Sequence, residues 1–310
     1  MTEAWMTALM GHAVPGAQLL SAEPLSGGYA NDLWRVHLSG SEPVSVVVRA
    51  WRRNPAGAAI ELAVMERAAR MVPVPEVLAQ DLTGERPAVV LTDMPGLPGD
   101  VALERHPDQA EQIGRALGEA FGRLSGIRFD SGGFFADPSL TVAGFGGSAA
   151  EQLLAFAQPR VGSDTVRDVL GAEGQAKWWA LIEAAAPALT GLEAERSLVH
   201  ADANPKNVLV ERGETGWTVT ALLDWEFAFS GPSLMDLGNL LRFESRDGTP
   251  FAAGVLAGWR GGGGPTPPGF VEMARTLEVY SLEAFVNAPQ SALHGPVVDL
   301  VRRQLAEGRL

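Results

Sequence analysis

Residues 197–241, SLVHADANPKNVLVERGETGWTVTALLDWEFAFSGPSLMDLGNLL, constrain the fold more than any other part of the chain. SLV and NVLV read as short apolar strands. Between them His200, Asp202 and Asn207 share a loop with Pro205, which lacks an N–H and so keeps a helix out. The turn ERGETGW sends VLV back as TVTALL, which predicts a hairpin. Asn207 precedes the first hairpin strand and Asp224 follows the second. Both therefore emerge at the open end, although 17 positions separate them. Asp202 arrives on the incoming loop, five residues before Asn207. A carboxylate and an amide carbonyl meeting there are hard oxygen donors that suit Mg²⁺. The plainer reading makes Asp202 and Asn207 ordinary turn residues.

The rest of the pattern falls into two parts. In the first, AQLLSAEPL and DLWRVHL flank the turn SGGYAN, and VSVVVRAW follows. Their β-branched content predicts strands. Residues 57–71 place Ile60, Val64, Ala68 and Met71 at helical spacing. VPVPEVLAQ must be extended, because each proline restricts the residue before it, and PAVVLTDM reads as a further strand. This part is therefore strands with one helix. MPGLPGD, at 94–100, punctuates the chain and sets a boundary near 96. Beyond it, helical periodicity dominates at 108–126, 148–157, 173–190, 233–243, 251–259, 269–287 and 294–307.

The chain has no cysteine, which excludes disulfide frameworks, thiolate metal sites and a thiol nucleophile. Its 24 basic and 37 acidic residues argue against binding a nucleic-acid backbone. Only Lys177 and Lys206 are lysines, so a reaction that needs a lysine has two candidates. No apolar run suits a membrane span, and Glu3 sits where a signal peptide would carry positive charge. A cytoplasmic protein with no nucleic-acid or membrane partner is expected.

HADANPKN, then LLDWE, then DLGNLL, with His200, Asp202, Asn207, Asp224 and Asp236 at the spaced positions, resembles the aminoglycoside phosphotransferase and choline kinase-like family of small-molecule kinases. The resemblance covers most of the chain and is strongest over 197–241. It implies an α+β, two-lobed, protein-kinase-like fold. A small mixed β-sheet lobe over 1–96 would bind nucleotide. A larger, mainly helical lobe over 97–310 would carry the catalytic loop and the acceptor site. ATP and Mg²⁺ are the implied cofactors. Asp202 would orient the acceptor hydroxyl and take its proton, and Asn207 and Asp224 would hold the metal. His200 and Asp236 would brace the loop.

The nucleotide half follows from the same resemblance. Gly27 and Gly28, in SGGYAN, fall where the family places its phosphate-covering loop. Alone, they read as a hairpin turn. Arg49 stands where the family usually has lysine, and no lysine occurs in the first 176 residues. Arg49 keeps the charge and can bind phosphate in a bidentate way. Glu61 is its expected partner, with Glu66 second. Thr92 and Met94 would frame the adenine edge. Lys206 and Glu226 have no assigned role.

The acceptor is read from charge. Residues 1–96 hold 7 basic and 10 acidic groups, net -3, and the remaining 17 and 27 give net -10. That favours a cationic hydroxyl acceptor, an aminoglycoside first, with Glu244, Asp247, Glu278 and Glu283 as acids that could line its site. A kinase for choline, homoserine, a sugar or a macrolide is the alternative, as is an inactive kinase-like binding module. A monomer or homodimer is expected.

Overall fold

The computed structural model describes residues 4–25, 31–40, 43–83 and 86–310. Helix α1 (Ala4–Ala13) precedes strands β1 (Gln18–Pro24), β2 (Asn31–Ser39) and β3 (Ser45–Trp51). Helix α2 (Ala58–Ala68) leads to β4 (Val77–Asp81) and β5 (Ala88–Thr92). The five strands form one sheet in the order β1-β2-β3-β5-β4. Every pairing is antiparallel, so the sheet expected to be mixed is an antiparallel one.

Successive side chains of a strand face opposite sides, and β3 uses both. Val46, Val48 and Ala50 pack with Met6, Leu9 and Met10 of α1. Trp51 on the opposite face joins Leu62 and Met65 of α2. The first part of the chain thus has two helices, one on each face. The sequence reading found only α2, because 4–13 lack the polar stripe that marks an amphipathic surface helix.

The chain then passes through β6 (Leu97–Pro98) into α3 (Gly99–Arg105) and α4 (Ala110–Leu124). A hairpin of β7 (Gly133–Phe135) and β8 (Val142–Gly144) follows, then α5 (Ala149–Val161) and α6 (Asp164–Ala185). Gly171, at φ 72°, breaks α6, so the helical periodicity from 173 is its second limb. Strand β9 (Ser197–Val199) opens the 197–241 stretch, which continues as β10 (Val208–Gly213), β11 (Gly216–Leu222), β12 (Phe229–Gly231) and α7 (Leu234–Leu241). Helices α8 (Pro250–Gly261), α9 (Phe270–Leu277), α10 (Val279–Val286) and α11 (His294–Glu307) complete the chain.

Two small sheets place the chemistry. The predicted hairpin is β10–β11, and β6 pairs along its other edge. The second sheet runs β8-β7-β12-β9, so β12 lies between the β7–β8 hairpin and β9, the strand that leads into residues 200–207. Beneath them α4 and α8 touch backbone to backbone. A Cβ at Gly118 would stand 2.1 Å from the Val255 carbonyl oxygen, and one at Gly258 would stand 2.0 Å from that of Arg115. Only glycine permits that approach. Phe121 of α4 then packs under His200, with ring centroids 5.9 Å apart.

Candidate active site

Residues 200–207 form a loop whose backbone is fixed from below. The Asp236 carboxylate, fully buried on α7, accepts the N–H of His200 at 2.9 Å and of Ala201 at 2.8 Å. Ala201 takes the left-handed conformation, φ 66°. Burial pushes Asp236 up to about 6, against the pull of His200 and of the two N–H donors. The His200 ring lies against Trp225, centroids 4.6 Å apart. Its Nε2 donates to the Leu223 carbonyl at 2.8 Å, and its Nδ1 accepts the Asp202 N–H at 3.3 Å. Both nitrogens are thus engaged by backbone, which makes His200 a brace between loop and hairpin.

Asp202 is held by two amides. Asn204 Nδ2 donates to Oδ1 at 2.7 Å, and Asn207 Nδ2 donates to Oδ2 at 2.7 Å. Asn204 also caps the 3₁₀ turn Pro205–Asn207 by accepting the Lys206 N–H. An ionised carboxylate can accept about four hydrogen bonds, so each Asp202 oxygen keeps capacity for a substrate proton. The sequence reading did not single out Asn204. Its signal was Asn-Pro beside the motif, a turn initiator whose side chain bonds nearby backbone.

Asn207 and Asp224 meet at the open end of the hairpin as the sequence predicts. Val208 pairs with Leu222, and the Leu223 N–H bonds the Asn207 carbonyl at 2.8 Å. Asp224 follows in a left-handed conformation, φ 65°. Asn207 spends its amide N–H groups on Asp202, which leaves Oδ1 as the atom it could offer to a metal. One amide oxygen and one carboxylate fit Mg²⁺, which keeps water and phosphate in its remaining positions. Among the described residues no group of three His, Asp or Glu side chains makes a metal site by itself.

Arg49 lies buried on β3 beside this pair. Its Nη1 is 2.7 Å from Glu61 Oε1, and its Nη2 donates to Glu61 Oε2 at 3.0 Å. Nη2 also reaches Asp224 Oδ1 at 3.4 Å. Burial pushes Glu61 up, while Arg49 and the Trp51 indole pull it down. Glu66, the second candidate, is exposed on the other side of α2. Glu226 also borders the site. Burial and the neighbouring Asp224 carry it to about 7.

A cleft of about 1500 Å³ joins these groups. It is bordered by Arg49, Thr92 and Met94 on one side and by Asp202, Asn207 and Asp224 on the other. Such a volume exceeds the range of roughly 300–1,000 Å³ usual for one small ligand and leaves space for two. Thr92 spends its N–H on the Glu76 carbonyl at 3.0 Å, and Thr92, Asp93 and Met94 all border the cleft. Asp93 is clamped by Arg35, with Nε at 2.8 Å, and by Ser45. Gly27 and Gly28 lie outside the described residues.

The four acids that could have lined an acceptor site do not border the cleft. Glu278 is buried between Arg242 Nε at 2.5 Å and Asn239 Nδ2 at 2.7 Å. Glu283 is fully buried, 3.3 Å from Arg160 Nε. Glu244 accepts the Thr249 hydroxyl, and Asp247 lies in an exposed turn.

The fold is that of kinase-like phosphotransferases. The phosphotransferase enzyme family matches residues 21–270, and the chain belongs to that family. No curated protein matches the chain. Among solved structures, the chain is similar to a thermostable mutant of aminoglycoside phosphotransferase APH(4)-Ia in ternary complex with ADP and hygromycin B. The two are 15% identical, 99% of each chain is covered and the TM-score is 0.69. The GDP complex of aminoglycoside 2'-phosphotransferase-IIIa aligns at 16% identity over 99% of both chains, TM-score 0.64. A fructosamine-3-kinase candidate from Thermobifida fusca aligns at 18% identity over 99% of this chain and 100% of its own, TM-score 0.62.

Proposed function

We propose that the chain moves the γ-phosphate of ATP to a hydroxyl of a small molecule. The observation that carries this reading is the Asp202 carboxylate, oriented by Asn204 and Asn207 and sharing one cleft with Asp224 and Arg49. An alcohol oxygen placed on Asp202 attacks the γ-phosphorus as the bond from that phosphorus to the β-bridging oxygen breaks. Its proton passes to the Asp202 carboxylate, and ADP leaves. Asn207 Oδ1 and Asp224 would hold Mg²⁺, which supplies charge neutralisation on the phosphates.

The base of the nucleotide would lie along Asp93 and Met94, and its phosphates would run toward Arg49. Arg49 already has a partner in Glu61, so its charge is positioned before any ligand arrives. Lys206 is exposed at the cleft beside Asp202 and could reach the transferred phosphate. The nucleotide would belong mainly to 1–96 and the acceptor to 97–310. The cytoplasm, where ATP is abundant, is the compartment this reading implies.

Solved relatives in complex with ADP and hygromycin B, or with GDP, support a nucleotide beside a hydroxylated acceptor. The test is ADP release from MgATP against a panel of hydroxylated compounds spanning aminoglycosides, choline, homoserine, sugars and macrolides. Acceptor-dependent release that Asp202→Asn removes supports the reading. MgATP binding with no transfer to any acceptor would favour a binding module.

A further inference from the structure

We infer that the acceptor is an alcohol on a bulky, largely apolar body of low charge, gripped by a phenylalanine cluster at the mouth of the cleft. This rests on the phosphotransfer reading and names the substrate class for the same site.

The first observation is exposure. Phe134 is 62% exposed, Phe227 56% and Phe145 39%, yet all three border the cleft. Exposed aromatic side chains gathered in one patch mark a binding surface. Two of them meet: Phe134 and Phe145 stack edge to face at 5.1 Å, and the buried Phe229 lies 5.8 Å and 6.0 Å from them. Phe156 and Tyr280, 4.7 Å apart, also border the cleft.

The second observation is position. Phe229 on β12 pairs with Val199 on β9, three residues before Asp202. Phe134 and Phe145 come from the β7–β8 hairpin, which is hydrogen-bonded to β12. Phe227 follows Asp224 by three residues. The cluster therefore stands on the elements that carry the catalytic loop and the metal-site carboxylate.

The third observation is charge. Among the described residues the cleft is bordered by five cations, Arg35, Arg49, Arg53, Lys206 and Arg242. Five carboxylates face them: Asp93, Asp100, Asp202, Asp224 and Glu226. The chain carries -13, but the cleft lining balances to zero, so the excess lies elsewhere. Three of those carboxylates surround the reaction centre, and Asp93 is paired with Arg35. A polycation would thus find few unspent acids on the acceptor side, where the charge of Arg242 is already met by the buried Glu278. Apolar carbon finds a rim of rings that desolvate on contact.

The test reads binding without turnover. The chain saturated with MgATP is titrated with 8-anilinonaphthalene-1-sulfonate, a flat apolar probe with one charge, and its fluorescence is followed. Saturating nucleotide fills the other half of the cleft. We expect saturable binding that the Phe134→Ala/Phe145→Ala variant weakens about tenfold. Erythromycin, large and singly charged, should displace the probe, and the polycation kanamycin should not at the same concentration. MgATP affinity of the variant, measured alongside, shows that the cleft still forms. No saturable binding, equal binding by the variant, or displacement by kanamycin at or below the erythromycin concentration would overturn the inference. The phosphotransfer reading fails separately, through ADP release that survives Asp202→Asn.

Discussion

Arg49 and Glu61 form a buried, two-pronged ion pair, 2.7 Å and 3.0 Å long, and Glu61 extends it to the end of the β10–β11 hairpin. Its Oε1 accepts the Trp225 N–H at 3.2 Å, and its Oε2 accepts the Trp51 indole at 2.9 Å. One carboxylate thus ties β3, α2 and the residue after Asp224. The planar fork of arginine suits this double contact better than a lysine ammonium. Arg49→Ala would leave Glu61 buried without its cation, at a cost of about 3–5 kcal/mol. Glu61→Gln in the same background should restore part of that loss. Urea unfolding of the single and double variants measures both, and equal stability of the two would count against the coupling.

Asn204 does two separable jobs. Its Oδ1 caps a 3₁₀ turn, and its Nδ2 holds Asp202. Asn204→Ala should lower stability by about 1 kcal/mol through the lost cap. It should also lower kcat roughly tenfold through a mispositioned carboxylate, with the KM for MgATP unchanged. Asn204→Ser keeps a cap oxygen and no amide, so it should recover stability and not rate. Parallel unfolding curves and ADP-release kinetics separate the two effects.

The close contact of α4 and α8 predicts opposite outcomes for two glycines. Gly118→Ala would drive a methyl into the Val255 carbonyl, 2.1 Å from the ideal Cβ, and should cost about 3 kcal/mol. Gly11 lies on α1 with nothing within 4 Å of an ideal Cβ. There the same change should stabilise by about 0.5–1 kcal/mol through helix propensity. Thermal melts of the two variants check the contrast.

Glu283 makes stability depend on pH. Burial raises it from 4.5 to about 7, against the pull of Arg160. The folded chain therefore holds this proton more tightly than the unfolded chain. Its contribution is full below about 4.5 and is lost as pH rises through about 7. Glu283→Gln removes that loss. The variant should match the parent near pH 5 and melt a few degrees higher at pH 8, as differential scanning calorimetry would show.

What the sequence made legible was local. The β10–β11 hairpin joins positions 207 and 224 by simple strand geometry, so Asn207 and Asp224 could be paired before any coordinates. Arg49 and Glu61 followed from the family resemblance and met as expected. The phenylalanine cluster was not visible. Phe134, Phe145 and Phe229 come together only through a sheet of three-residue strands ordered β8-β7-β12-β9, too short for a periodic signal. The net charge does not describe the cleft, for a related reason. It sums the whole surface, whereas the cleft samples ten charged side chains that cancel. The row Gly114, Gly118, Gly122 was readable as spacing, but only the fold shows that α8 presses against it.

The central claim is that Asp202 takes the proton from the acceptor hydroxyl. Single-turnover transfer from MgATP, measured for the parent and Asp202→Asn with any acceptor that supports ADP release, tests it most directly. The account predicts a rate lowered about 10²–10⁴-fold with MgATP affinity and unfolding midpoint nearly unchanged. A variant that transfers phosphate within about threefold of the parent rate, far inside that range, would contradict it.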